Sequence, residues 1–239
     1  MSRLILVRHA QASFFATSYD RLSPLGECQA RALGEHWVRL GVGFDEVIVG
    51  PRDRQIRTEQ IVRSVYEADG KPWPQVEIRP EFDEHSVDQL LGEPLEELLQ
   101  LHPPLRPLAA EYRNAAVPEQ IQRSFQRLFE AICHLWCAGA PGTESIESWK
   151  NFQERVESGL QRVLDQPGRN RTIGVFASVG NITAALRFVL GCSPMQAMEL
   201  GWRLKNCSVT ELIFSGKRIT LDHFNSLAHL TDPKAWTFR

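Results

Sequence analysis

The run Leu4-Ile5-Leu6-Val7 constrains this chain most, because consecutive apolar side chains on a strand need cover on both faces of the sheet. It predicts an interior strand of a layered α/β fold. Directly after it stand Arg8 and His9. In an open α/β sheet, ligands bind at the carboxyl ends of the strands. An arginine there grips a planar anion with paired hydrogen bonds, and a neighbouring imidazole serves as acid, base or nucleophile near neutral pH.

The rest of the chain continues the alternation. Ser23 reads as a helix N-cap, with Pro24 at the first helical position, Glu27 in the first turn and Gly41 beyond the end. Leu25, Cys28, Ala32, Leu33, Trp37 and Leu40 form its expected apolar face. Residues 44–49 make a second strand closed by Gly50-Pro51, a helix follows over about 54–66, and 76–78 make a short third strand. Residues 80–116, rich in proline and leucine, break the rhythm and read as an insertion or cap over the ligand-binding edge. Amphipathic helices are expected from Pro118 to Trp136 and from about 145 to 164. Residues 172–177 form another strong strand, turning at Ser178-Val179-Gly180-Asn181 into a helix. A hairpin with its turn at Ser215-Gly216-Lys217 follows, and the tail from Phe224 shows no pattern. The expectation is one α/β domain over 1–239: a three-layer α/β/α sandwich around a mostly parallel sheet with right-handed crossovers. Residues 11–19 would line the mouth of its pocket.

The chain has 239 residues and a net charge of -2, which argues against a nucleic-acid partner, since such binding rests on a concentrated basic surface. No apolar run reaches the length of a membrane span, and no signal-peptide core follows Met1, so a cytoplasmic location is expected. The 5 cysteines are scattered and read as reduced thiols. Cys133 and Cys137 lie one helical turn apart, but His134 falls on another face, so they read as packing thiols. No metal or organic cofactor is implied, and oligomeric state leaves no mark.

Several strand ends carry polar groups that can converge. The first offers Arg8 and His9, the second Arg52-Asp53-Arg54 after Gly50-Pro51, and the third Phe82-Asp83-Glu84-His85. Two arginines, a histidine and a carboxylic acid suffice for phosphoryl transfer through a phosphohistidine. The arginines hold the phosphate, the histidine attacks, and the acid protonates the leaving oxygen.

At these residues the chain resembles the histidine phosphatase superfamily, with its phosphoglycerate-mutase-like fold. Arg8-His9-Ala10-Gln11 is similar to the family's Arg-His-Gly-Glu/Gln signature. Leu22-Ser23-Pro24-Leu25-Gly26 with Gln29-Ala30 and Leu33-Gly34 resembles its first helix. Gly50-Pro51-Arg52-Asp53-Arg54 with Thr58 resembles its second phosphate-binding segment, Glu147-Ser148 with Arg155-Val156 its Glu-Ser motif, and Asn206-Cys207-Ser208 its Asn-x-Ser strand opening. The resemblance implies His9 as nucleophile, Arg8 and Arg54 as the phosphate clamp, and a proton donor among residues 81–88. The pattern favours Glu84, with Glu81 and Asp83 as alternatives.

One departure bears on activity. The family's second signature, Ser-His-Gly-Gly, reads here Ser178-Val179-Gly180-Asn181, so Val179 replaces a histidine that holds the transferring group. Some small bacterial branches of the superfamily are similar in this respect. Removing one preorganised donor slows catalysis by ~10²–10³. Substitutes to consider are the Asn181 amide, the backbone N–H groups of Gly180 and Asn181 at a helix N-terminus, and His85 or His229. The expected function is a phosphatase working through phospho-His9 on a small phosphorylated substrate. The alternatives are a non-catalytic binder of phospho-ligands or protein segments and, third, a phosphoglycerate mutase.

Overall fold

The computed structural model describes residues 1–13, 20–216 and 218–238. Residues 14–19 of the expected 11–19 pocket lining and Lys217 lie outside them. Among the described residues the chain forms six strands and eight α-helices in two compact units. One unit comprises Met1–Glu84 with Arg155–Arg239, the other His85–Glu154.

In the first unit the opening apolar run becomes β1 (Ser2–Arg8). It is followed by α1 (Pro24–Leu40), β2 (Glu46–Val49), α2 (Asp53–Ala68) and β3 (Val76–Ile78). After the inserted unit come α6 (Trp149–Leu164, its first turns in the other unit), β4 (Thr172–Ala177) and α7 (Val179–Leu190). The unit closes with α8 (Pro194–Gly201), β5 (Val209–Ser215) and β6 (Arg218–Ser226). The sheet order is β3-β2-β4-β1-β5-β6. The first four of these run parallel, while β5 and β6 are antiparallel additions at one edge. β1 and β4 lie inside, and their apolar residues are buried on both faces. Ile5, Val7, Val47, Val49 and Phe176 pack with Ala30, Leu33 and Trp37 of α1 and Ile61, Val62 and Tyr66 of α2. Leu4, Leu6, Ile48, Ile173 and Val175 alternate to the other face, where α7 packs on β1. The layered, mostly parallel α/β architecture therefore matches the expectation.

Ser23 caps α1 by accepting from the Gly26 N–H, and Gly41 ends it in the left-handed region at φ 68°. The buried face of α1 keeps Leu33 and Trp37 of the expected set but is otherwise made of other residues. Leu25, Cys28 and Leu40 are exposed, and Gly26, Gln29, Ala30, Leu33, Gly34 and Trp37 point inward. Close approach decides this. A Cβ on Gly26 would stand 2.1 Å from the Gln11 carbonyl oxygen, and one on Gly34 would stand 2.9 Å from Val65 Cβ. Glycines must face the Gln11 backbone and α2, which turns Leu25 and Leu40 outward while Leu33 and Trp37 stay buried.

The second unit is helical. The expected cap at 80–116 holds a 3₁₀ turn (Val87–Leu91), α3 (Leu95–Leu101) and α4 (Leu105–Asn114), and the unit extends through α5 (Pro118–Cys137). Leu98, Leu105, Leu128, Ile132 and Trp136 are buried, and Cys133 packs as a buried thiol. Trp136 meets Trp149 edge-on at 5.3 Å and donates its indole N–H to the Glu147 carbonyl at 2.7 Å. Sequence periodicity did not reveal α8, although Ser193-Pro194 with Gln196 carries its capping box, nor the continuation of β6 to Ser226.

Candidate active site

The carboxyl ends of β1, β2 and β4 assemble the candidate site within the first unit. Beyond Arg8, the His9 N–H donates to the Ala177 carbonyl at 2.8 Å, extending the β1–β4 ladder by one residue. His9 is buried, and its Nδ1 lies 2.8 Å from the Ala10 carbonyl oxygen. A carbonyl only accepts, so Nδ1 carries the proton and Nε2 keeps its lone pair. Burial first, then the positive charges of Arg54 and Arg8, hold the imidazole well below the usual histidine range. His9 is therefore neutral at neutral pH, with its lone pair on Nε2.

The loop after His9 is braced from two sides. The Ala10 N–H donates to Thr58 Oγ1 at 3.0 Å, while the Thr58 hydroxyl donates to the Arg54 carbonyl at 2.6 Å, linking the histidine loop to α2. The Gln11 N–H donates to Gln29 Oε1 at 2.9 Å. Gln29 Nε2 in turn reaches the Ala235 carbonyl at 2.8 Å and Thr237 Oγ1 at 3.1 Å. The patternless tail is thus part of the site's frame. Arg8 Nη1 donates to the Leu204 carbonyl at 2.5 Å and Nη2 to the Phe238 carbonyl at 2.6 Å, which fixes the plane of its guanidinium. Asn206 joins tail to site: its N–H donates to the Thr237 carbonyl, and its side chain lies 3.5 Å from the His9 carbonyl. Arg54 is also buried and pairs through Nη1 with Asp20 Oδ1 at 2.6 Å.

The three carboxylates expected as candidate donors have different surroundings. Glu81 pairs with Arg162, and Asp83 Oδ1 accepts from Arg52 Nε at 2.5 Å. Glu84 is buried, and its Oε2 accepts the Gly180 N–H of α7 at 3.2 Å. Glu84 thus sits at the helix turn after β4, the strand whose last residue bonds His9.

Gly180 and Asn181, expected to meet an anion, already have protein partners. Gly180 gives its N–H to Glu84, and the Asn181 side chain accepts from the Ser178 N–H at 3.0 Å while donating to the Asp83 carbonyl at 2.9 Å. Asn181 acts as a helix cap and a brace because its amide sits three residues into α7. His229 is buried beside the ring of His36, with centroids 6.4 Å apart, and His85 packs on Trp136 and Phe152.

Sequence reasoning missed Gln55. It is fully buried, accepts the Arg52 N–H at 3.0 Å, and donates to the Phe82 carbonyl at 3.1 Å and Ser178 Oγ at 2.9 Å. One side chain joins the ends of β2 and β4 to the Glu84 segment. Gly50 makes room for it, since a Cβ there would stand 2.2 Å from Gln55 Oε1. The available signal was a polar residue within an otherwise amphipathic helix.

Among the described residues, Glu211, Asp222 and His223 alone bring three metal-type ligand atoms within 4.8 Å of one another. They lie on the β5–β6 hairpin, where Glu211 already pairs with Arg3. No helix among the described residues is long and apolar enough to cross a membrane.

This arrangement defines a class: an α/β protein with an arginine-flanked, tautomer-fixed histidine at the carboxyl end of its first strand. The chain belongs to the histidine phosphatase superfamily (branch 1), whose family model matches residues 4–135 and 113–227. No curated protein matches it in sequence. Among solved structures, it is similar to a phosphoserine phosphatase mutant from Entamoeba histolytica in complex with phosphoserine. The TM-score is 0.65 at 19% identity, covering 96% of this chain and 100% of the other. A phosphoglycerate mutase from Bacillus anthracis gives 0.63 at 18% identity, covering 95% and 94% respectively. A mycobacterial glucosyl-3-phosphoglycerate phosphatase gives 0.62 at 22%, covering 95% and 99%.

Proposed function

We propose that this protein hydrolyses a small phosphomonoester through a phosphohistidine on His9. The observation that carries the reading is the Nδ1 contact to the Ala10 carbonyl, which leaves Nε2 as the nucleophile beside two buried arginines. Arg8 and Arg54 neutralise the phosphoryl oxygens. Nε2 attacks phosphorus, the N–P bond forms as the P–O bond to the leaving group breaks, and protonated Glu84 gives its proton to the departing oxygen. Water then attacks phosphorus, Glu84 takes the proton that water loses, and cleavage of the N–P bond frees phosphate and His9. The named phosphatase neighbours support a phosphorylated metabolite as substrate, and a cytoplasmic setting accords with that.

A second reading has its own support. Val179 begins α7 where the family signature carries a histidine, and the Gly180 N–H and Asn181 amide have protein partners. A site with two arginines but fewer donors binds phospho-groups with slow or no turnover. An aryl phosphate assay over several pH values, with acid-quench trapping of a phosphoenzyme, separates the readings. Turnover and a trapped phosphoryl group, both lost in His9→Ala, are expected. Vanadate or phosphate binding without either would leave the binder reading standing.

A further inference from the structure

The backbone that presents Glu84 is held in an unusual way. Each carbonyl from Pro80 through Glu84 accepts a side-chain N–H. Arg155 Nη1, from α6, reaches the carbonyls of Pro80, Glu81 and Asp83 at 3.1, 3.0 and 3.1 Å. Gln55 takes Phe82 at 3.1 Å, Asn181 shares Asp83 at 2.9 Å, and Arg52 Nη2 takes Glu84 at 3.3 Å. The donors come from α2, α6 and α7, so this short segment is tied to three helices at once. Gly159, one turn beyond Arg155 on α6, lets the segment sit close: a Cβ there would stand 2.8 Å from Glu81 Cβ.

We infer that Arg155 is a positioning residue for proton transfer by Glu84, with Arg52 as its partner across the segment. The inference rests on the phosphatase reading. A turn needs no such clamp merely to fold, because its own backbone bonds, Phe82 N–H to Arg79 and Asp83 N–H to Pro80, already close it. The added donors fix where the next side chain points. General acid catalysis depends on that placement, since the acid must lie within hydrogen-bond reach of the leaving oxygen. All three Arg155 contacts leave from the single nitrogen Nη1, so a test variant must remove that donor altogether, as methionine does while keeping an apolar stem.

Leaving-group dependence provides the test. Para-nitrophenol departs with little protonation, whereas benzyl alcohol needs a proton as its bond to phosphorus breaks. Phosphoenzyme formation from para-nitrophenyl phosphate and from benzyl phosphate is measured for wild type, Arg155→Met and Arg52→Met. Arg52 is about a third exposed, so its variant tests the clamp even if Arg155→Met fails to fold. The clamp predicts that benzyl phosphate slows at least about tenfold more than the nitrophenyl ester, part of the ~10²–10⁴ that a placed acid supplies. Equal slowing of both esters, or none, in the folded variants overturns the inference while leaving the phosphatase reading intact. Absence of turnover in wild type overturns both.

Discussion

Replacing Gln55 with methionine tests whether one buried amide organises the site. The substitution keeps the shape and apolar stem but removes every polar contact. Three groups would lose their partner: the part-buried Arg52 N–H and the buried Phe82 carbonyl and Ser178 hydroxyl. Each unsatisfied group costs ~1–3 kcal/mol, and the hydroxyl can rotate to another acceptor, so the expected loss is about 3–5 kcal/mol. That is a large part of the ~5–15 kcal/mol available to a domain. Urea unfolding followed by tryptophan fluorescence should show a lowered midpoint at unchanged slope. Gln55→Glu provides the complementary variant. At pH 8 its carboxylate still accepts from Arg52 but turns a second lone-pair oxygen toward the Phe82 carbonyl, so it should be at least as destabilising. On acidification the protonated carboxyl donates again, and part of the loss should return. A cost below about 1 kcal/mol for Gln55→Met would refute the hub.

Other outcomes follow from the same geometry. His9 should stay neutral well below pH 6.5, and its NMR titration should move upward in Arg54→Gln, because removing a nearby cation eases protonation; an unmoved titration would contradict the charge argument. His229 is lowered to about 4 by burial and by His36, whereas the unfolded ring takes its proton near 6.5. Stability is therefore present above pH 6.5 and lost as pH falls toward 4, by up to about 3 kcal/mol, and this part of the acid loss should vanish in His229→Gln as measured by urea titrations at each pH. Gly26→Ala should lower the melting temperature despite alanine's helix propensity, because overpacking at the Gln11 carbonyl costs ~1–3 kcal/mol or more against a gain of ~1 kcal/mol. A raised melting temperature would show that the helix can move away.

Residues whose role is local were legible. The Leu4-Ile5-Leu6-Val7 and Thr172–Ala177 runs read as buried strands because period and composition agree, and Ser23 and Gly41 announced α1 through backbone chemistry alone. Arg8, His9 and Arg54 stood in recognisable short motifs. Less legible was anything set by a distant partner. On α1, Leu33 and Trp37 were rightly read as buried, but Leu25 and Leu40 face outward and Gly26 and Gly34 inward, because the Gln11 backbone and Val65 come too near for larger side chains. The tail beyond Phe224 had no periodicity to read, yet its carbonyls at Ala235 and Phe238 hold Gln29 and Arg8. Among Glu81, Asp83 and Glu84, sequence offers three similar carboxylates. Arg162 and Arg52 engage the first two from other elements, and Glu84 meets the start of α7.

By itself, then, the sequence determined the alternation of strands and helices and the candidate site residues at the strand ends, because hydrophobic period, capping and short motifs act within a few residues. Tertiary structure alone decided which nitrogen of His9 bears its proton, which carboxylate faces α7 and how Arg8 is oriented. Each of those depends on a single oxygen or N–H placed by a segment far along the chain, and hydrogen bonds over ~3 Å leave no trace in local pattern.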